Sequence, residues 1–253
     1  MKLEGLKIGF IGAGNMGGAL AGSVIKKTGG EAVYVCRTTP ERSAESAAKL
    51  GCRAASAEKI CETCGLIFLG VKPQGLSALS DKISPILKKR NDEFVLVSMA
   101  AGVTLETLCG MFGDNAKIIR IMPNLPVSTG DGAVLFCGNR NVTDEDGKAF
   151  FEILTNAGEI IPLSEKLFDA GTAISGCGPA FIYMCIDALS EGGVRCGLTK
   201  ETALRLAALT VSGSATSTIK SGRHPGELRD DVCSPAGSTV AGVAVLEERA
   251  FRA

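Results

Sequence analysis

The sequence predicts an α/β chain: a doubly wound parallel sheet followed by an all-helical domain. Three observations carry this. Short apolar runs alternate with helical stretches up to residue 163, a rhythm that belongs to parallel βαβ units. Two of those runs, 66–71 and 94–98, are almost continuously apolar, as strands covered on both faces must be. Beyond 163 no strand pattern recurs, and Gly-rich joints separate helical segments.

The elements follow in order. Residues 6–11 read as the first strand and 15–27 as the helix after it. Residues 32–36 form the second strand, and 40–50 a helix whose early proline suits a first turn. The third strand is 66–71, with a helix from about 75 to 89. Strands at 94–98, 117–122, 133–137 and 159–163 complete the sheet. The helical part runs 167–172, 179–194, 200–220 and 236 to the end. We therefore place a dinucleotide-binding domain at 1–163 and a helical substrate and dimerisation domain at 164–253. The helix 200–220 carries Leu204, Leu206, Ala207, Leu209 and Val211 with few charges, so it must be buried on more than one side. About 90 helical residues bury too little surface alone. The expected partner is a second copy of the chain, giving a homodimer.

Composition narrows the function. The 253 residues hold 27 Lys or Arg and 27 Asp or Glu. With no positive excess, neither nucleic acid nor an anionic membrane is an expected partner. Apolar residues make up 45%, enough for a core rather than a disordered chain. Aromatics are 5% with no Trp, which argues against a base-stacking platform. The longest uncharged run, 170–186, is interrupted by Gly176, Gly178 and Pro179 and is short for a membrane span. The N-terminus enters the first strand without a leader, so a cytoplasmic location is expected. Ten cysteines are scattered. Cys61 and Cys64 form the one close pair, and His224 is the only histidine, so no metal site or disulfide framework is expected.

Four groups of residues carry chemistry. Gly12-Ala13-Gly14-Asn15-Met16-Gly17 directly follows a strand and opens a helix, the context that makes this string a Rossmann-type pyrophosphate cradle. Gly12 permits the turn, Gly14 the approach of the pyrophosphate, and Gly17 the packing of helix on strand. At the end of the second strand an NAD site usually has an acid; here Cys36-Arg37-Thr38-Thr39 stands instead. Arg37 can pair with a 2′-phosphate and Thr38 can add a hydrogen bond, which favours NADPH and leaves NADH as the alternative. Val71-Lys72-Pro73, Ala100-Ala101-Gly102 and the segment Arg120 to Pro126 stand at the ends of later strands, where ligands of open α/β sheets bind. Finally, Ser234-Pro235-Ala236-Gly237-Ser238-Thr239 reads as a helix start capped by Ser234. Such a start either holds a carboxylate or merely caps a helix.

Taken together, these segments make the chain resemble the Δ1-pyrroline-5-carboxylate reductases. The most specific stretch is 234–247, in which a small residue, Gly, any residue and Thr lead into a helix ending Leu246-Glu247. Phe10–Gly17, Val71-Lys72-Pro73, 100–103, Met122-Pro123-Asn124, 175–180 and His224-Pro225-Gly226 match in order. The resemblance implies hydride transfer from NADPH to the cyclic imine, giving L-proline. It implies that Gly12, Ala13, Gly14, Asn15, Met16 and Gly17 hold the pyrophosphate, Arg37 and Thr38 the 2′-phosphate, and Val71, Lys72, Pro73, Ala100, Ala101 and Gly102 the nicotinamide half. Ser234, Gly237, Ser238 and Thr239 would bind the substrate, with Thr239 on the ring nitrogen as the catalytic group. Glu165 sits where a family acid approaches the substrate. It further implies interlocked dimers, often assembled further.

Three departures follow from the same resemblance. Cys177 replaces a commoner Ser, Ala57 stands where many members carry Asn, and the chain stops at Ala253 where members continue for about 20 residues of helix. A shortened end is expected to weaken the dimer or open the site. The alternatives are a β-hydroxyacid dehydrogenase or another imine reductase on the same plan, and a non-catalytic NADP-binding paralogue. The dehydrogenases need a Lys that 174–195 lacks. The paralogue would need nothing at Ser234 to Thr239.

Overall fold

The computed structural model describes residues 3–252. Its first compact unit reaches Pro179 and the second begins at Ala180. In the first, β1 (Ile8–Ile11), β2 (Val33–Cys36), β3 (Arg53–Ala54), β4 (Leu66–Leu69), β5 (Val95–Ser98), β6 (Lys117–Pro123), β7 (Gly132–Gly138) and β8 (Gly158–Pro162) form one sheet in the order β3-β2-β1-β4-β5-β6-β7-β8. The helices between them are α1 (Asn15–Thr28), α2 (Pro40–Leu50), α3 (Ala57–Thr63), α4 (Pro73–Leu87), α5 (Leu105–Phe112) and α6 (Asp144–Ile153), and α7 (Phe168–Ser175) follows β8.

The doubly wound parallel sheet is present, with one modification. β6 and β7 pair antiparallel, whereas every other neighbouring pair is parallel. The connection 124–131 is too short for the crossover a parallel pair requires. The apolar strands serve two faces at once. Leu66 and Phe68 of β4 join one buried cluster with Phe10, Leu20 and Phe150, while Ile67 and Leu69 join the other with Ile60 and Leu96. Successive side chains point to opposite faces, and a continuous apolar run is what two covers demand. The Phe10 and Phe68 rings stack at 4.3 Å.

The first unit extends past residue 163 because α7 is built into it. Phe168 is fully buried. A Cβ on Gly171 would come within 2.7 Å of Leu135 and 2.9 Å of Leu163 side-chain carbons, so α7 lies closely on β7.

The second unit holds most of α8 (Gly178–Arg195), then α9 (Lys200–Ser221), α10 (Pro225–Asp231) and α11 (Ser238–Glu248). Among the described residues no strand follows β8. Within this unit α8 and α9 approach closely where a Cβ on Gly193 would lie 3.1 Å from that of Ala203. Among its described residues the buried ones are few and small: Ser190, Ala203 and Ala207. The predicted helix start at Ser234 is corrected. Ala236 has a φ of +59, which a helix cannot accommodate, so α11 begins only at Ser238, capped by Gly237.

Candidate active site

The carboxyl ends of β1, β2, β4 and β5 gather the predicted cofactor residues along one edge of the sheet. Gly12 turns the chain with a φ of +98. The Gly12 and Ala13 N–H groups donate to the Cys36 carbonyl at 2.9 and 3.0 Å, tying this loop to the end of β2. A Cβ on Gly12 would lie 2.5 Å from the Gly70 carbonyl carbon, and one on Gly17 would collide with the Gly12 carbonyl oxygen. Gly14 differs: a Cβ there would meet nothing within 4 Å. Open space thus lies against the N-cap of α1, which has no side-chain cap and no acid in its first turn. The N–H groups of Asn15, Met16 and Gly17 have no intrahelical acceptor, and this positive helix end suits a phosphate. The cradle fits the pyrophosphate of a dinucleotide.

At the end of β2 the loop 37–39 is pinned. The Arg37 N–H donates to Ser43 Oγ at 2.8 Å, and Ser43 Oγ donates to the Thr39 carbonyl at 2.9 Å. Thr39 Oγ1 caps α2 by accepting from the Arg42 N–H. Arg37, Thr38, Ser43, Ser56, Glu58 and Lys82 line a cavity of about 380 Å³. The Arg37 guanidinium has one long side-chain contact, to Ser46 Oγ at 3.4 Å. Further along the edge, Lys72 is the N-cap of α4 and Pro73 its first residue. Val71 is half-buried, and Ala101 and Gly102 are exposed. Ala100 is buried and donates its N–H to Ser98 Oγ at 3.3 Å.

Glu165 does not stand open. Its Oε1 accepts from the Leu105 N–H at 2.7 Å and from Arg120 Nη1 at 2.8 Å. Arg120 is buried within β6, and its guanidinium lies 4.7 Å from the Phe168 ring centroid. The acid therefore fastens the first turn of α5, just after the loop 99–104, to the segment that leads into α7. Asn124 makes a parallel link. Its Oδ1 accepts from the Ala133 N–H at 2.9 Å and its Nδ2 donates to the Ser175 carbonyl at 3.0 Å. The sequence placed Arg120 and Asn124 in a site-facing segment but gave neither a partner. The signal for Arg120 was available: a charge inside the apolar run 118–121 needs a buried partner.

In the second unit, Ser234, Gly237, Ser238 and Thr239 come together at the start of α11. The Gly237 N–H donates to the Ser234 carbonyl at 3.0 Å, and a Cβ on Gly237 would strike Ser234 Oγ. Ser234, Ser238 and Thr239 are exposed. Their hydroxyls and the free N–H groups of the first turn present donors to an anion. His224 caps α10, its Nδ1 accepting from the Gly226 N–H at 3.0 Å. Cys61 and Cys64 are buried to 0% exposure. Burial pushes their thiols up, to about 12 and about 11, which leaves them protonated and inert.

Comparison with known proteins finds two family matches and full-length relatives. Residues 165–253 match the family described as pyrroline-5-carboxylate reductase dimerisation, and 7–102 the family described as NADP oxidoreductase coenzyme F420-dependent. The chain is 37% identical to a pyrroline-5-carboxylate reductase of Arabidopsis thaliana, over 99% of this chain and 90% of that one. It is 37% identical to that of Escherichia coli, over 98% and 92%. The crystal structure of Plasmodium falciparum pyrroline carboxylate reductase with NADP bound superposes with a TM-score of 0.85 at 32% identity, covering 99% of this chain and 93% of that one. With a fold, a phosphate cradle and a full-length likeness in agreement, the chain belongs to the pyrroline-5-carboxylate reductase family.

Proposed function

We propose that the two constellations carry the reaction of the family: reduction of 1-pyrroline-5-carboxylate to L-proline at the expense of NADPH. The observation that carries the reading is the open cradle at Gly14, beside a loop that presents Arg37 instead of an acid. The cofactor, when bound, supplies a hydride. The residues of the chain bind, orient and exclude. Gly12 to Gly17 hold the pyrophosphate by backbone N–H groups. Arg37 and Thr38 take the 2′-phosphate. Val71, Lys72, Pro73 and Ala100 to Gly102 line the nicotinamide half, where small residues leave room for a flat ring.

Ser234, Gly237 and Ser238 hold the substrate carboxylate at the start of α11. Thr239 bonds the ring nitrogen, orienting the imine and stabilising the amine that forms. The iminium form accepts hydride best, and it can arrive already protonated. Holding two reactants in near-attack geometry is itself a large effect. Glu165 is read as a residue beside the substrate that acts through its bonds to Arg120 and the Leu105 N–H.

A homodimer in the cytoplasm completes the proposal. The match of 165–253 to a dimerisation family supports the dimer. So does the exposure of Phe181, Met184, Leu206 and Leu209 on the helices of the second unit. The helical domain is kept at 164–253, of which 164–179 belongs to the first compact unit.

The test is loss of reduced-nicotinamide absorbance on adding pyrroline-5-carboxylate, with NADPH and NADH in parallel. Turnover that prefers NADPH is expected. Turnover that prefers NADH would discard the reading of Arg37. No turnover from folded protein that binds the cofactor would overturn the proposed reaction.

A further inference from the structure

The cavity beside Arg37 contains a second cation that the loop 36–39 does not supply. Lys82 of α4 lines it opposite Glu58 of α3, with Lys82 Nζ 2.7 Å from Glu58 Oε1. Two hydroxyls of the same lining are already engaged: Ser43 Oγ with the Thr39 carbonyl, and Ser56 Oγ with the Lys59 N–H. The charged side chains in the lining are therefore Arg37, Lys82 and Glu58, two positive and one negative. The Lys82 and Glu58 side chains are 57% and 38% exposed. An ion pair so open to water is weak, and its partners exchange readily.

A dianion entering beside Arg37 competes with Glu58 for Lys82. We infer that Lys82 is a second phosphate-directed cation and that Glu58 restrains it, so that this pair sets how strongly the chain discriminates a cofactor with a 2′-phosphate from one without. The inference rests on the reading of Arg37 as the residue that meets that phosphate. Lys82 also holds the Glu58 carboxyl down to about 2, so the restraint stays charged at any working pH. A 2′-hydroxyl offers no charge for either residue to read. The pair therefore acts on NADPH and not on NADH.

The test is equilibrium binding, with no turnover involved. Kd for NADPH and for NADH is measured from the fluorescence of the bound reduced nicotinamide at low and high salt. Competition by adenosine 2′,5′-bisphosphate and by adenosine 5′-monophosphate isolates the phosphate. Glu58→Gln is expected to tighten NADPH and the bisphosphate about fivefold, and Lys82→Met to loosen both about fivefold, each the effect of one screened charge. NADH and the monophosphate should not change. Lys82→Met should also flatten the salt dependence of NADPH binding, and Lys82→Arg should preserve it.

Unchanged NADPH binding in both Glu58→Gln and Lys82→Met overturns the inference. So does an equal change for NADH, which would mark the pair as structural. Arg37→Ala separates the two levels. Loss of NADPH preference in Arg37→Ala, without an effect at Lys82 or Glu58, overturns this inference alone. Retention of preference in Arg37→Ala overturns the underlying reading of the cavity.

Discussion

The two units solve the burial problem differently. In the first, a central sheet is covered on both faces, and large side chains such as Phe68, Phe150, Ile60 and Leu69 are fully out of water. In the second, the buried residues are Ser190, Ala203 and Ala207, while Phe181, Met184, Leu206 and Leu209 stand exposed. The first unit makes its phosphate cradle from its own strand ends and needs nothing further. The second displays several large apolar side chains that stand exposed, the kind of surface that marks an interaction site. On the proposed reading, cofactor binding is a property of the first unit, and substrate binding at α11 depends on whatever covers its helices.

The sharpest way to break this comparison is one apolar truncation on each side. Phe68→Ala should cost about 3–5 kcal/mol of folding stability, because it leaves a hole between two filled layers. Leu209→Ala should leave the unfolding of the first unit unchanged. It should instead lower the dimer association constant, measured by sedimentation equilibrium. Equal losses of folding stability in the two variants would show that the second unit has a core of its own.

Next in size is chemistry without loss of binding. Thr239→Val keeps the shape at the start of α11 and removes the hydroxyl. It should lower kcat/KM by about two to three powers of ten, the usual effect of losing a preorganised donor. Kd for NADPH should not change, since the cradle belongs to the first unit. Parallel loss of both would join what the comparison separates, and undiminished kcat/KM would remove Thr239 from the reaction.

Acid offers a third contrast. Asp146 is buried in the first unit, and burial alone would raise its pKa. Hydrogen bonds from Lys117 and from the Thr143 backbone outweigh it and hold the carboxyl down to about 2. A carboxyl depressed in the folded state stabilises above its unfolded pKa, and that contribution disappears as pH falls through the folded one. The window is therefore about pH 4 down to about pH 2, and the contribution about 2 kcal/mol. The urea midpoint of the wild-type chain should fall across that window by more than that of Asp146→Asn. Asp231 in the second unit is also held down, by Arg223, but in water. Asp231→Asn should leave the acid profile unchanged.

What was legible in the sequence follows the same division. The apolar strands, the glycine cradle and the helices 15–28 and 200–221 come through because periodicity and composition are local signals. The two-residue β3, the seven-residue α3 and the eight-residue α5 are too short to carry a period. The packing of α7 on β7 could not be read either, since it depends on Gly171, Leu135 and Leu163 meeting in space. Of the candidate site, the segments built by one turn of chain, 12–17 and 37–38, were legible as candidates, whereas the helix start expected at Ser234 lies at Ser238. The links that span 45 or 51 residues, Arg120 to Glu165 and Asn124 to Ser175, were not legible. A charge within an apolar strand announces that a partner exists without naming it.

The smallest effect is the most discriminating. Thr143 caps α6 in the first unit through a capping box with Asp146, and Thr199 caps α9 in the second by accepting from the Thr202 N–H. Thr→Ala at either position removes the same kind of bond and should cost about 1 kcal/mol. The two losses should appear in different places. If the second unit is covered only by another copy, its unfolding depends on protein concentration, as binding linked to folding requires. Thr199→Ala should then shift a transition that moves with concentration, and Thr143→Ala one that does not. Far-UV circular dichroism in urea, at two concentrations a hundredfold apart, reads both. A single transition shifted equally by the two variants would mean that the units unfold together, and the contrast between a self-sufficient half and a dependent half would be lost.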